Sequence, residues 1–339
     1  MARDKVRWGV LGAASIAVRR AIPGMQKGEW SAVTAIASRD KRRAEQAAAK
    51  LGIAKAYGSY EELLADSEID AVYNPLPNSL HVWWSIKAAE AGKHVLCEKP
   101  ISTGLADARK LLAVRNRTGV KIGEAFMVRT HPRWIRAREL VHTGRIGQLK
   151  LIAGLFGYFN SDPANIRNSP AFGGGALLDL GCYPITLSRF IFAEEPAQVF
   201  GTLERDPQMQ TDVLMSAILQ FSSGQSHFTC GTQLAYLQKM QMAGTKGRIE
   251  IESPLNPPSD QSSRILIGDL KGTAEGTIAE TFPYVDQFTI QGDAFSKAIR
   301  EDAEVPVPLE DSVKNMAVIE AVRRSAESGK WEHPDTPRG

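Results

Sequence analysis

Two short stretches near the start of the chain carry residues suited to holding an anionic dinucleotide. The turn Gly12-Ala13-Ala14-Ser15-Ile16-Ala17 follows an apolar run ending at Leu11 and opens a helix-patterned stretch, the place where G-x-G-x-x-G stands in a βαβ unit. Such a turn brings backbone N–H groups and a helix N-terminus up to a pyrophosphate. Ala14 and Ala17 take the places of the second and third glycines, which keeps the approach and adds a methyl group at each position. Gly12, Ala14, Ser15 and Ile16 are therefore the expected contacts. Any tightly packed strand–helix unit also needs small residues here, so the position of the turn carries the assignment more than its composition.

The residue that selects the cofactor is expected about 20 positions later, at the end of the second strand, where an acid would bond the ribose hydroxyls of NAD. No acid stands at that strand end. Ser38 and Arg39 occupy it, followed by Arg42 and Arg43. Guanidinium groups bond a 2′-phosphate through charge-assisted hydrogen bonds, so Ser38, Arg39 and Arg43 point to NADP(H). The alternative is that Asp40 caps the next helix and the arginines form its solvated face; this suits Arg42 and Arg43 taken singly, whereas Arg39 at the strand end favours phosphate.

These residues need elements to position them. Residues 1–126 alternate short apolar runs with helix-patterned stretches, the rhythm of a parallel sheet. Strands are expected at 6–11, 33–38, 71–74, 94–98 and 121–126, with helices at 15–26, 41–51, 79–91 and 103–117. Gly52, Gly92 and Gly119 stand just past three of those helices. Ser59 and Glu62 form an S-x-x-E capping box for a further short helix. After Phe126 the rhythm changes. A helix begins at Pro132 and ends near Gly144, and alternating segments follow at 149–156, 197–203, 214–221 and 225–231, as antiparallel strands with one free face do. Residues 253–263 read as a loop, 286–300 and 311–328 as helices, and the tail after Gly329 as frayed. The expected fold class is α/β: a Rossmann dinucleotide-binding domain at 1–126, an α+β substrate and oligomerisation domain with a large, mostly antiparallel open sheet at 127–330, and a tail at 331–339.

Composition narrows the function classes. In 339 residues, 43% are hydrophobic and 23% charged, and 41 basic against 38 acidic residues leave a net charge of only +3. That balance argues against a nucleic-acid partner. Cys97, Cys182 and Cys230 show no CxxC spacing, which argues against a zinc site and a disulfide framework and fits a cytoplasmic protein. Nothing suggests a bound metal. Arg3, Asp4, Lys5 and Arg7 before an apolar run imitate a signal peptide, but cleavage there would remove the strand and turn that the rest of the domain needs. No stretch is apolar enough for a membrane span.

At the third and fourth main strands the sequence resembles a known family. The motifs are Asn74-Pro75-Leu76-Pro77-Asn78-Ser79-Leu80-His81 and Ala91-Gly92-Lys93-His94-Val95-Leu96-Cys97-Glu98-Lys99-Pro100, joined later by Glu124-Ala125-Phe126-Met127 and by the run from Gly173 to Pro184 that reads GGGALLDLGCYP. They resemble the Gfo/Idh/MocA oxidoreductases, nearest in flavour to NADP-linked aldose dehydrogenases, glucose-fructose oxidoreductase and dimeric dihydrodiol dehydrogenases. The resemblance implies that Lys99 and Tyr183 are a catalytic pair with Asp179 beside them, and that Lys99-Pro100 is a cis bond. It also implies that Pro75, Leu76, Pro77, Asn78, His81, Glu98 and Lys99 lie along the cofactor, and that Arg129, His131 and Arg167 line the substrate cleft. Oxidising a sugar hydroxyl needs a base for the O–H proton, and a tyrosine of ordinary pKa about 10 needs a nearby cation to serve near neutral pH. Each residue also has a plainer role open to it: His81 packed in its helix, His131 as the cap before Pro132, Arg167 in an ion pair, Gly173–Gly175 as a loop before a helix.

The implied activity is hydride transfer between an aldose or cyclic polyol carbon and NADP. A trans-dihydrodiol dehydrogenase, a tightly held cofactor cycling between two sugars, and a non-catalytic NADP-binding regulator are the competing readings. Family likeness also implies a homo-oligomer formed through the open sheet face.

Overall fold

Six short runs, most of them apolar, make a parallel sheet: β1 (Val6–Leu11), β2 (Ser31–Ala37), β3 (Lys55–Tyr57), β4 (Ala71–Asn74), β5 (His94–Glu98) and β6 (Ile122–Ala125), in the order β3-β2-β1-β4-β5-β6. The computed structural model of the chain describes residues 4–258 and 261–335; Arg3, residues 259–260 of the expected loop and residues 336–339 of the expected tail lie outside them. β1 and β4 are buried almost throughout, as strands covered on both faces are. Between the strands run α1 (Ile22–Gln26), continuing a π-helical turn at Ala17–Ala21, then α2 (Lys41–Leu51), α3 (Tyr60–Ala65), α4 (His81–Glu90) and α5 (Leu105–Thr118). Asp40 caps α2 by accepting from Arg42 N at 3.0 Å. The expected capping box is half realised. Ser59 Oγ accepts from Glu62 N at 3.1 Å, but the Glu62 carboxylate reaches Gly58 N, one residue before the cap.

The second region begins with α6 (Pro132–His142), β7 (Leu149–Phe159) and α7 (Cys182–Phe192). There follow β8 (Gln198–Arg205), β9 (Asp212–Gln220), β10 (Gln225–Gly231), β11 (Gln233–Gly244), β12 (Gly247–Ile251), β13 (Ser263–Asp269) and β14 (Thr277–Phe282), and then the helices α8 (Gln287–Arg300) and α9 (Leu309–Ser328). The eight strands pair in the order β14-β13-β12-β11-β7-β10-β9-β8. All neighbours are antiparallel except β7 and β10, which run parallel. β9 and β10 alternate buried with exposed or half-buried residues, so one face is packed and the other meets water, where Leu155 is 42% and Ile218 37% exposed.

The chain folds as two units, one of residues up to Thr130 with Val285–Val313, the other of His131–Tyr284 with the residues from Lys314 on. This differs from the sequence-based boundary, which kept 127–330 together. α8 packs with the parallel sheet and satisfies polar groups of β1 and of the turn into β2. Trp8 Nε1 donates to Ser296 Oγ at 2.9 Å beneath the Trp8–Phe295 ring contact. The Asp293 carboxylate accepts from Glu29 N at 2.7 Å, Trp30 N at 2.9 Å and Ser31 Oγ at 3.2 Å. The tail also departs from expectation. Glu332 exchanges backbone hydrogen bonds with Val199 at 2.8 and 2.9 Å, because β8 is an edge strand with groups left to pair.

Asp293→Ala leaves three donors of the β1–β2 connection without their carboxylate. We expect a loss of about 2–3 kcal/mol, the scale of hydrogen bonds to a charged group, in urea unfolding followed by tryptophan fluorescence. An unchanged midpoint would show that the turn pairs equally well with water.

Candidate active site

Strand order reverses between β1 and β4, and the crevice outside the carboxyl ends of strands at such a point is where open α/β sheets bind ligands. Gly12 stands at the end of β1 with φ +100, and a Cβ built on it would lie 3.0 Å from Leu76 Cδ2 and 3.6 Å from the Tyr60 hydroxyl. A side chain would fill this cradle; a glycine leaves it to backbone and ligand. Ala14 and Ile16 are half-buried and Ser15 is exposed. At the end of β2, Ser38 is buried and its Oγ accepts from Asp40 N at 3.2 Å. Arg39 and Arg43 are exposed and make no ion pair among the described residues. Their charge draws down the pKa of the Tyr60 hydroxyl, which burial pushes up more strongly. A glycine cradle and two exposed guanidinium groups, one of them hydrogen-bonded to the Tyr60 hydroxyl, fit a phosphorylated dinucleotide.

Beyond β4, Pro75 and Leu76 are buried and Pro77 and Asn78 half-buried. His81, expected along the cofactor, has its ring turned to backbone. Its ring is 1% exposed, with Nδ1 2.8 Å from Pro100 O and Nε2 2.6 Å from Leu76 O, and burial lowers its pKa to about 4. Both nitrogens are committed to backbone. Beyond β5, Glu98 accepts from Tyr73 OH at 2.5 Å and from Lys99 N at 3.3 Å, and Lys99 stands half-buried before the cis bond to Pro100. Arg129, expected at the substrate cleft, has a side chain 10% exposed whose Nη1 pairs with Asp311 Oδ2 at 2.9 Å, tying the segment after β6 to the start of α9.

In the second unit the helix bearing Tyr183 begins with a π-helical turn, Leu177–Gly181, a distortion frequent at functional sites. Asp179 lies on that turn. Its Oδ2 accepts from Tyr158 OH at 2.6 Å and from Arg167 Nε at 3.2 Å. Asp179 is the main cause that raises the Arg167 pKa, with smaller contributions from Tyr158 and Tyr183. Tyr183 is buried edge-on against Phe156, with ring centroids 5.9 Å apart. Asp179, Tyr183 and Arg167 are thus gathered, with Arg167 tied to the carboxylate through Nε while its side chain stays 45% exposed. His131 is not among them. It is buried, it caps α6 by accepting from Arg133 N at 3.3 Å, and burial followed by the Arg133 charge lowers its pKa to about 3.

The glycine run belongs to the start of this helix. Gly175 has φ +114, and a Cβ on it would lie 2.0 Å from Asp212 Oδ1, whose carboxylate accepts from Leu177 N at 2.6 Å. Sequence reasoning missed Tyr60, Tyr158 and Asp212. Tyr60 hides inside a helix-capping signature, and Tyr158 and Asp212 sit in strands where nothing local marks them. Among the described residues no group of three His, Cys, Asp or Glu could hold a metal ion, and no helix is long and apolar enough to cross a membrane.

The two buried histidines set an acid sensitivity. Folded values of about 4 for His81 and about 3 for His131 lie below the ordinary 6.5, so the unfolded chain takes up protons first. Their contribution is complete above pH 6.5 and erodes as pH falls, by on the order of 2 kcal/mol for each histidine by pH 5. His131→Asn keeps a side-chain acceptor at the cap and removes one titration, and should flatten the urea midpoint between pH 7 and 5. A wild-type midpoint independent of pH over that range would refute the assignment.

With this geometry in place, comparison with known proteins is informative. The GFO_IDH_MocA oxidoreductase family, described as having an NAD-binding Rossmann fold, matches residues 6–126, and the GFO/IDH/MocA C-terminal domain matches residues 134–250. An uncharacterized oxidoreductase of Rhizobium meliloti is 46% identical, covering 97% of this chain and 99% of its own. A D-xylose 1-dehydrogenase (NADP(+)) of Haloferax volcanii is 37% identical over 95% of this chain and 98% of its own. Among solved structures, a 3-ketoreductase from Actinomadura kijaniata in complex with NADP and TDP-benzene superposes with a TM-score of 0.88 at 31% identity, covering 95% of this chain and 98% of that one. The chain therefore belongs to the GFO/IDH/MocA oxidoreductase family, with its NAD-binding Rossmann domain at the N-terminus.

Proposed function

We propose that this enzyme oxidises an aldose at carbon 1 with NADP+, passing a hydride from the sugar carbon to the cofactor and a proton from the hydroxyl to the protein, to leave the lactone. The observation that carries the proposal is the Asp179 cluster, in which a buried carboxylate holds a guanidinium and a phenol on the turn before Tyr183. NADP(H), when bound, supplies the hydride chemistry; Lys99, Asp179 and Tyr183 are the proton-handling groups of the proposal. A phenol needs cationic surroundings to act as a base near neutral pH, and Arg167, fixed by Asp179, supplies positive charge within the same unit. Arg39 and Arg43, with no acid at the end of β2, support the phosphorylated cofactor. The xylose dehydrogenase relative supports the sugar class. Hydride transfer from NADPH to the ketone carbon of a nucleotide-linked keto-sugar is the second reading, favoured by the likeness to the ketoreductase holding NADP and TDP-benzene.

The proposal includes a cytoplasmic homo-oligomer that covers the open sheet face around Leu155 and Ile218; elution from size exclusion at the mass of one chain would refute the oligomer. Titration with NADPH and NADH tests the cofactor: Arg39→Ala should weaken NADPH about tenfold or more, the scale of one charge-assisted contact, and leave NADH nearly unchanged. Equal affinity of the wild type for both would make Arg39 a helix-face charge. For the chemistry, Lys99→Ala and Tyr183→Phe should each lower kcat with D-xylose and NADP+ by about a hundredfold or more at saturating cofactor, as loss of general acid–base catalysis does. Turnover of a TDP-linked keto-sugar but of no free aldose would replace the first reading by the second.

A further inference from the structure

We infer that His81 is a positioning residue that continues the β4–β5 pairing past the end of the sheet and so fixes the turn bearing Lys99 against the loop at Leu76. The inference rests on the proposed role of Lys99. β4 and β5 are paired up to Asn74 and Cys97. Beyond that rung the chains leave the ladder, and the segments that follow are those read as meeting the cofactor. The His81 ring stands between them, Nε2 at 2.6 Å from Leu76 O and Nδ1 at 2.8 Å from Pro100 O.

The ring is itself held in place. Asn74 Nδ2 donates to His81 O at 3.0 Å and to Ser85 Oγ at 3.1 Å, while Asn74 Oδ1 accepts from Leu76 N at 3.4 Å, which fixes the first turn of α4 to the end of β4. On the far side, Leu76 Cδ2 is the atom a Cβ on Gly12 would meet at 3.0 Å. One line of contacts therefore runs from the dinucleotide turn through Leu76 and His81 to the residue after Lys99. A neutral imidazole donates through one nitrogen only, and burial keeps this ring neutral near pH 7. The tautomer decides which of the two carbonyls receives that proton, and side chains that copy one nitrogen at a time distinguish them.

His81→Asn places an amide nitrogen near the Nδ1 position, His81→Gln near the Nε2 position, and His81→Phe removes both. The test is hydrogen exchange of the whole chain without ligand, NADPH titration, and turnover of D-xylose with NADP+. In His81→Phe, exchange at residues 75–80 and 99–103 should rise about fivefold or more, since local opening loses its cross-link. Its kcat should fall about tenfold to a hundredfold, the scale of a misplaced catalytic group, with the sugar KM within about threefold and one of the two amide variants recovering most of kcat. Unchanged exchange in all three variants would overturn the brace. Faster exchange with undiminished kcat, where Lys99→Ala abolishes turnover, would overturn its role in placing Lys99. Full turnover by Lys99→Ala would instead defeat the catalytic reading, and the exchange data would still decide whether the ring ties the two segments. Should His81→Phe fail to fold, exchange in the Asn and Gln variants carries the same decision, one expected to loosen residues 75–80 and the other residues 99–103.

Discussion

A parallel sheet whose strand order reverses at β1 and β4 cannot close over the gap between the connections that leave those two strands in opposite directions. In this protein that constraint governs the first unit. Every strand delivers its C-terminal residue to the same edge, so Gly12, Ser38, Pro75 and Glu98, distant in sequence, arrive there together. The residue at each strand end then has one local task. Gly12 yields space, Ser38 and Asp40 turn the chain into α2, and Asn74 fixes the departure of the next connection.

The second unit solves a different problem. An antiparallel sheet offers no common edge, so its polar cluster is assembled at a helix start. Asp212 is a carboxylate whose burial raises its pKa, yet it is kept near Leu177 N, where a helix N-terminus favours negative charge. Gly175 is the only residue type that fits between them. The π-helical turn that follows fits more residues into one turn than an α-turn does, and Asp179 on it meets Tyr158 from β7 and Arg167 from the preceding loop.

Much of this was legible in the sequence because periodicity and punctuation report local physics. The strands 6–11, 71–74 and 94–98 and the helix 41–51 agree with the structure, since buried parallel strands are continuous apolar runs and Asp40 and Gly52 mark both ends of their helix. β3 was too short to show a pattern, and β11 and β14 alternate only weakly. Among the expected site residues, Asp179 and Tyr183, carried by one contiguous motif, stand on a π-helical turn and the helix that continues it. His81 was expected along the cofactor and Arg129 and His131 at the substrate cleft; the partners the structure gives them, Pro100, Asp311 and the N-terminus of α6, are set by tertiary structure and leave no mark in the sequence. The fate of α8 was hidden for the same reason: its amphipathic pattern says that one face is buried without saying against which sheet.

The packing of α8 against β1 shapes how the protein comes into being. A nascent chain emerges from the ribosome N-terminus first, and domains tend to fold as they emerge. Here the parallel sheet is made early, yet Trp8 lacks its acceptor Ser296, and the turn at Glu29 and Trp30 lacks Asp293, until nearly the whole polypeptide has been synthesised. The strands of the other unit, β7 to β14, all leave the tunnel in the interval. The last unit to begin is therefore complete in its sheet before the first can close its core, and an unfinished chain presents a tryptophan-containing apolar surface of the kind that chaperones hold.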